Sequence, residues 1–197
     1  NKGGAHLASA PTGIGKTAAA LAAALEFVDS SNGSKTVVFL TPKQSQHEIV
    51  VDTVRKINQQ LPAGFRKIKL VDLIGRESMC ENVDKLTGRC TCEQNVNDAS
   101  NSNRREDIRK YILEHPRHVG EIIQICKTWG ICAWAACRSA VKDSNILVCD
   151  YNHLFIDEVR NASLSSMKLE LDELVLVVDE AHNLPSRVRM GMQLSLI

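Results

Sequence analysis

At 197 residues the chain is long enough to bury the core of one α/β domain, and its 44% hydrophobic content is ordinary for a globular protein. Its net charge of +1 argues neither for nor against nucleic acid, so any contact with DNA falls to a local patch or to backbone groups. No apolar run approaches the ~20 residues of a membrane span, and Asn1-Lys2-Gly3-Gly4 does not resemble a secretory leader.

In chain order, His6 to Ala10 reads as a short first strand leading into Ala10-Pro11-Thr12-Gly13-Ile14-Gly15-Lys16-Thr17. That stretch has the form of a phosphate-binding loop. Its glycines let backbone N–H groups approach an anion, Lys16 supplies a point charge for the outer phosphates, and the Thr17 hydroxyl is suited to Mg2+. The general pattern has glycine where Ala10 stands. An alanine-rich helix from about Thr17 to Phe27 presents its positive end to the same phosphates. The early first strand and the lack of an initiator methionine lead us to expect a piece of a longer chain.

After the polar turn Ser30–Ser34, Thr36 to Leu40 is the near-continuous apolar run of a strand covered on both faces. Ile49, Val50, Val54, Ile57 and Leu61 recur at helical spacing, Pro62-Ala63-Gly64 ends that helix, and Ile68 to Leu73 reads as another strand. Strand and helix alternate, which predicts a parallel sheet flanked by helices. From about Gly75 to Ala140 the pattern breaks into a polar stretch. It holds a helix at Glu106–Leu113 and a local basic group of Arg104, Arg105, Arg109 and Lys110, equally readable as a solvated helix face or a phosphate contact. The strand pattern resumes at Asn145–Cys149 and ends with the fully apolar Leu174–Val178. We therefore expect a sheet domain in two parts, 1–74 and 141–197, with 75–140 as an insertion.

The last strand runs into Asp179-Glu180-Ala181-His182. A buried strand that ends in two carboxylates delivers them to the carboxyl edge of the sheet, where ligands of such folds bind. Asp179 can hold Mg2+ and Glu180 can orient and deprotonate water. Together with the glycine loop this predicts an ATP site.

Six of the seven cysteines (Cys80, Cys90, Cys92, Cys126, Cys132 and Cys137) fall between positions 80 and 137, and Cys149 lies apart. The odd count fits disulfides poorly, and the clustering favours a metal site. Spacings of one residue between Cys90 and Cys92 and five between Cys126 and Cys132 match structural zinc pairs poorly. Cys149, on a strand, reads as a buried thiol, and Cys137 as a core residue.

The loop Ala10–Thr17, the pair Gly75-Arg76 before Cys80, Cys132 followed by a helix and Tyr151-Asn152-His153-Leu154, and the box Asp179-Glu180-Ala181-His182-Asn183-Leu184 together resemble the first motor domain of the XPD/DinG family of superfamily 2 iron–sulfur helicases. The resemblance covers essentially the whole chain. It departs at Thr41-Pro42-Lys43-Gln44, which lacks the family's Arg-Thr pair, and at Ala133-Trp134, where Pro-Tyr is usual. It implies a RecA-like P-loop fold with an inserted iron–sulfur subdomain. A [4Fe–4S] cluster would be held by Cys80, Cys126, Cys132 and either Cys92 or Cys90, Cys92 being preferred. Lys16, Thr17 and Asp179 would place Mg-ATP, Glu180 would activate water, and His182 would couple hydrolysis to movement on single-stranded or forked DNA, 5′ to 3′. Arg76 resembles a family arginine near the cluster. The family also implies a second motor domain in the same chain, so that residues 1–197 alone would bind nucleotide and hydrolyse it feebly. Location would be nuclear in a eukaryote, or cytoplasmic and nucleoid-associated in a prokaryote. A nucleic-acid-remodelling ATPase and a cluster-bearing DNA sensor are the rival readings.

Overall fold

The computed structural model describes residues 4–11, 13–31, 35–80, 82–84, 87, 90, 92 and 102–194. Its strands are β1 (Thr36–Thr41), β2 (Leu70–Asp72), β3 (Ile146–Asp150) and β4 (Leu174–Val178). They pair in parallel in the order β2-β3-β1-β4. The helices are α1 (Lys16–Ser30), α2 (His47–Gln60), α3 (Arg76–Met79), α4 (Ser102–Glu114), α5 (Val119–Trp129), α6 (Ala133–Val141), α7 (Asn152–Phe155), α8 (Asp157–Met167) and α9 (Leu184–Leu194).

Successive strand residues point to opposite faces, and the run Val37-Val38-Phe39-Leu40 of β1 shows why an unbroken apolar strand is needed here. Val37 and Phe39 join Leu21 and Val28 of α1 and Val50, Val51 and Val54 of α2 in one core. Val38 and Leu40 face a second core built from Ile108 and Ile112 of α4, Val119 and Ile122 of α5, Ala136 and Cys137 of α6 and Leu164 of α8. Residues 102–141 thus pack their apolar stripes on the sheet itself. Cys137 and Cys149 are fully buried there, as expected of inert thiols.

One expected strand is missing. Residues 4–11 form no strand, and Leu7 is 86% exposed. The segment His6-Leu7-Ala8-Ser9-Ala10 has one sizeable apolar side chain, and alanine is a poor strand former, so little burial opposes the entropy of ordering it. β4 is only half-buried, with Leu176 44% exposed, and no described residue pairs with its outer edge. Part of the expected Ser30–Ser34 turn, 32–34, lies outside the described residues.

A buried polar contact ties three elements together. Asp72, at the end of β2, lies 2.5 Å from Nδ1 of His47 on α2, and both side chains have no exposure. Its other oxygen accepts the Val119 N–H of α5 at 2.8 Å. The start of α5 is further fixed by a capping box, with the Glu121 carboxylate accepting from His118 N–H. Removing one member of such a pair strands the other in a site without water. Asp72→Ala should therefore cost about 3–5 kcal/mol of stability, read as a lower midpoint in urea denaturation.

Candidate nucleotide site and metal centre

The glycine loop meets α1 at Gly15, whose φ of 85° and ψ of 27° place it in the left-handed region that favours glycine. Gly13, at φ 82°, does the same two residues earlier. These turns bring the chain to the positive end of α1, and Lys16 Nζ folds back to donate to the Ala10 carbonyl at 3.1 Å. Pro11, Gly13, Ile14 and Gly15 are solvent-exposed, so the loop is open to a ligand. Thr17 is half-buried on the first turn of α1, and Thr12 lies outside the described residues.

The carboxylates arrive from β4. The ladder pairs Leu40 with Val178, and one step further the Asp179 N–H donates to the Leu40 carbonyl at 2.9 Å. Glu180 then turns left-handed, φ 50° and ψ 43°, ahead of the short 3-10 turn Ala181–Asn183. Burial first, and the Glu180 charge second, hold the Asp179 carboxyl above the usual carboxylate range, while Lys16 pulls it back down. α1 packs against β4, Leu21 and Val28 sharing a core with Val175 and Val177, so the helix that follows the loop and the strand that ends in the carboxylates are neighbours. His182 Nδ1 lies 3.4 Å from Glu180 Oε2, and the His182 side chain is largely exposed. A cleft of about 490 Å³ opens beside this turn, lined among others by Lys43, Gln46, Glu180, His182 and Arg187.

Four thiols converge elsewhere. The Sγ atoms of Cys80, Cys90, Cys92 and Cys132 all lie within 4.8 Å of one another. Cys80 follows α3, and Cys132 caps the N-terminus of α6. Cys90 forms a bridge with Val83. Trp134 staples the flanks of this group: the guanidinium of Arg76 sits 4.0 Å from its ring centre and that of Arg138 sits 3.9 Å from it. Burial pushes the Cys80 thiol up to about 12 and raises Cys132. For Cys92, burial works upward too, but hydrogen bonds from Asn82 and from neighbouring thiols prevail and lower it.

Cys126, expected as a ligand, stands outside this group. It lies on the buried face of α5 with Val119 and Ile122 and is 1% exposed, and burial alone pushes its thiol up to about 12. Cys90 takes its place, so Cys90 and Cys92 enter the group together. Four soft, anionic donors suit zinc or an iron–sulfur centre. The 3.7 Å between the Cys80 and Cys92 sulfurs matches the spacing around a single tetrahedral ion, about 3.8 Å for metal–sulfur bonds of about 2.3 Å. A four-iron cluster fills more space and requires the thiols to stand farther apart.

Of the basic group, Arg109 is bound to Glu106 at 3.0 Å and to Asp143, which favours the local reading of that helix face. Trp129 is 38% exposed at the end of α5. Two participants went unread in the sequence. Arg138 has no signal beyond lying one helical turn after Trp134. Tyr151, whose hydroxyl reaches the Asp179 and Glu180 carbonyls, was seen only as part of a motif.

The family model DEAD_2 matches residues 39–196, a range that begins after the glycine loop. The chain is 27% identical over 164 residues to the Arabidopsis thaliana protein named "Regulator of telomere elongation helicase 1 homolog", covering 77% of this chain and 15% of that protein. It is 24% identical over 160 residues to the Schizosaccharomyces pombe "ATP-dependent DNA helicase chl1", covering 75% of this chain and 18% of that protein. A solved structure named "XPD_Helicase" superposes with a TM-score of 0.60 at 20% identity, covering 91% of this chain and 29% of that one. Another, "Truncated XPD", gives 0.58 at 21% identity, covering 89% and 47%. At these identities the structural likeness speaks for the fold. The chain spans less than a fifth of these two curated relatives, at 15% and 18% of their length.

The thiol geometry makes a sharp distinction between neighbouring cysteines. Serine at position 80, 90, 92 or 132 should abolish stoichiometric metal, whereas Cys126→Ser should leave metal content unchanged, as read by elemental analysis of the purified variants.

Proposed function

The chain belongs to the DEAD_2 family, and from that premise we propose that it is the nucleotide-binding first motor domain of an ATP-dependent DNA helicase. The packing of α1, which follows the glycine loop, against β4, which ends at Asp179 and Glu180, carries this reading, because it supports a single Mg-ATP site built from two distant sequence motifs. Loop residues Ala10 to Thr17 cradle the phosphates, and Lys16 neutralises their charge. Thr17 and Asp179 hold Mg2+, while Glu180 orients and deprotonates the attacking water. His182, beside Glu180, relays the state of the nucleotide to the DNA-moving parts. Hydrolysis then drives 5′ to 3′ translocation on single-stranded DNA and opening of forked duplexes. A second motor domain of the same protein completes the site, so residues 1–197 alone bind nucleotide and turn it over feebly.

We divide the chain into motor segments 1–74 and 141–197 and a cysteine-rich insertion, 75–140. Cys80, Cys90, Cys92 and Cys132 are the residues that would hold a [4Fe–4S] cluster, a reading supported by their soft donor set and by the family. The cluster would supply a rigid structural centre near the strand junction and no redox step. The close thiol spacing favours a second reading, one tetrahedral zinc ion. Iron and sulfide in anaerobically prepared protein support the cluster, and stoichiometric zinc in colourless protein supports the ion. The eukaryotic helicases among the relatives support a nuclear location.

In the full-length protein, Lys16→Ala should abolish unwinding and lower nucleotide affinity. Glu180→Gln should retain ATP binding while hydrolysis falls about 10²–10⁴-fold, measured by phosphate release and by nucleotide titration on the same preparation.

A further inference from the structure

Tyr151 is among the largest fully buried side chains, at 1% exposure, and the chemistry assigned above makes no use of it. It stands between the end of β3 and the start of α7. Its ring meets Phe155 edge-on, with centroids 6.4 Å apart. Its hydroxyl crosses to β4, where it donates to the Asp179 carbonyl and lies 3.0 Å from the Glu180 carbonyl. A phenol has one proton, so the two carbonyls share it.

Glu180 needs such a tether. It is one of two described non-glycine residues with positive φ, a conformation that persists only where the surroundings hold it. On the near side of the turn, Asp179 N–H is tied to Leu40 of β1 at 2.9 Å; on the far side, Asn183 N–H donates to the Glu180 carbonyl at 2.9 Å. Asn183 belongs to the turn and moves with it. Tyr151 belongs to the body of the sheet, so its bond anchors the turn to something rigid.

We propose that Tyr151 is a positioning residue for ATP hydrolysis: its hydroxyl fixes the Asp179–Glu180 turn in the left-handed form that aims the Glu180 carboxylate at the attacking water. The proposal rests on the reading of Glu180 as the water-activating residue. It needs no contact between Tyr151 and nucleotide, since the effect passes through the main chain of the two acidic residues.

Tyr151→Phe tests it in the full-length protein, because phenylalanine keeps the buried ring and removes the donor. The kcat for ATP hydrolysis should fall about tenfold or more, as misplacement of a catalytic group by a fraction of an ångström does. The KM for ATP and the thermal midpoint should stay close to those of the parent protein. A parental kcat overturns the proposal. So does a kcat loss matched by an equal loss of nucleotide affinity or by a large drop in midpoint, since either marks general damage. Glu180→Gln, assayed in parallel, separates the two claims. If it hydrolyses ATP normally, the assignment of Glu180 fails and the role of Tyr151 falls with it. If it is inactive while Tyr151→Phe is not, only the role of Tyr151 fails.

Discussion

The parallel pairing of β4 with β1 is the constraint on which the proposed nucleotide site depends. Its register, Thr36 with Leu174 through Leu40 with Val178, carries the chain to a final bond from Asp179 N–H to the Leu40 carbonyl. A slip of one residue would turn every β4 side chain to the opposite face and swap the two carboxylates. In register, Asp179 follows directly on the last ladder pair and Glu180 begins the turn. The glycine loop supplies the complementary half, held by the left-handed Gly13 and Gly15 and by the Lys16 bond to Ala10. In the proposed reading, neither half is a site without the other.

The thiol group answers to the same scaffold through different joints. Asp72 ties β2 to α2 and α5, and the arginine–tryptophan stack of Arg76, Trp134 and Arg138 joins the segments that carry Cys80 and Cys132. α6 follows Cys132 and leads through a short turn into β3, which is followed by Tyr151 beside the acidic turn. The thiol group and the acidic turn are thus joined by one helix–strand run.

Much of this was legible in the sequence, and for physical reasons. Apolar runs at Thr36–Leu40 and Leu174–Val178 mark strands, and the structure has strands there; the first is covered on both faces, whereas β4, the last strand of the described sheet, is half-buried. The helix over Glu106–Leu113 exists and is longer at both ends. His6–Ala10 holds no strand because a place ahead of the glycine loop does not make up for its weak apolar content. The family resemblance implies Cys126 as a ligand, whereas the structure groups Cys90 with Cys80, Cys92 and Cys132. Val119, Ile122 and Cys126, at intervals of three and four, carry the signal of a buried helix face, and that periodicity would have put Cys126 in the core. Tyr151 lies beyond reach of the sequence, since its partner Asp179 is 28 residues away, and the Arg138 stack on Trp134 gains its meaning only from Arg76 on the opposite side of the ring, a residue of a distant segment.

A double-mutant cycle on Mg-ATP affinity tests most directly whether loop and carboxylates form one site. Lys16→Ala, Asp179→Asn and the double variant would be titrated calorimetrically with a non-hydrolysable ATP analogue and Mg2+. Residues that grip the same Mg-phosphate group should be strongly coupled, so the double variant should bind little worse than the weaker single one. Losses that simply add would contradict the account, because they would mean that Lys16 and Asp179 act on the nucleotide independently.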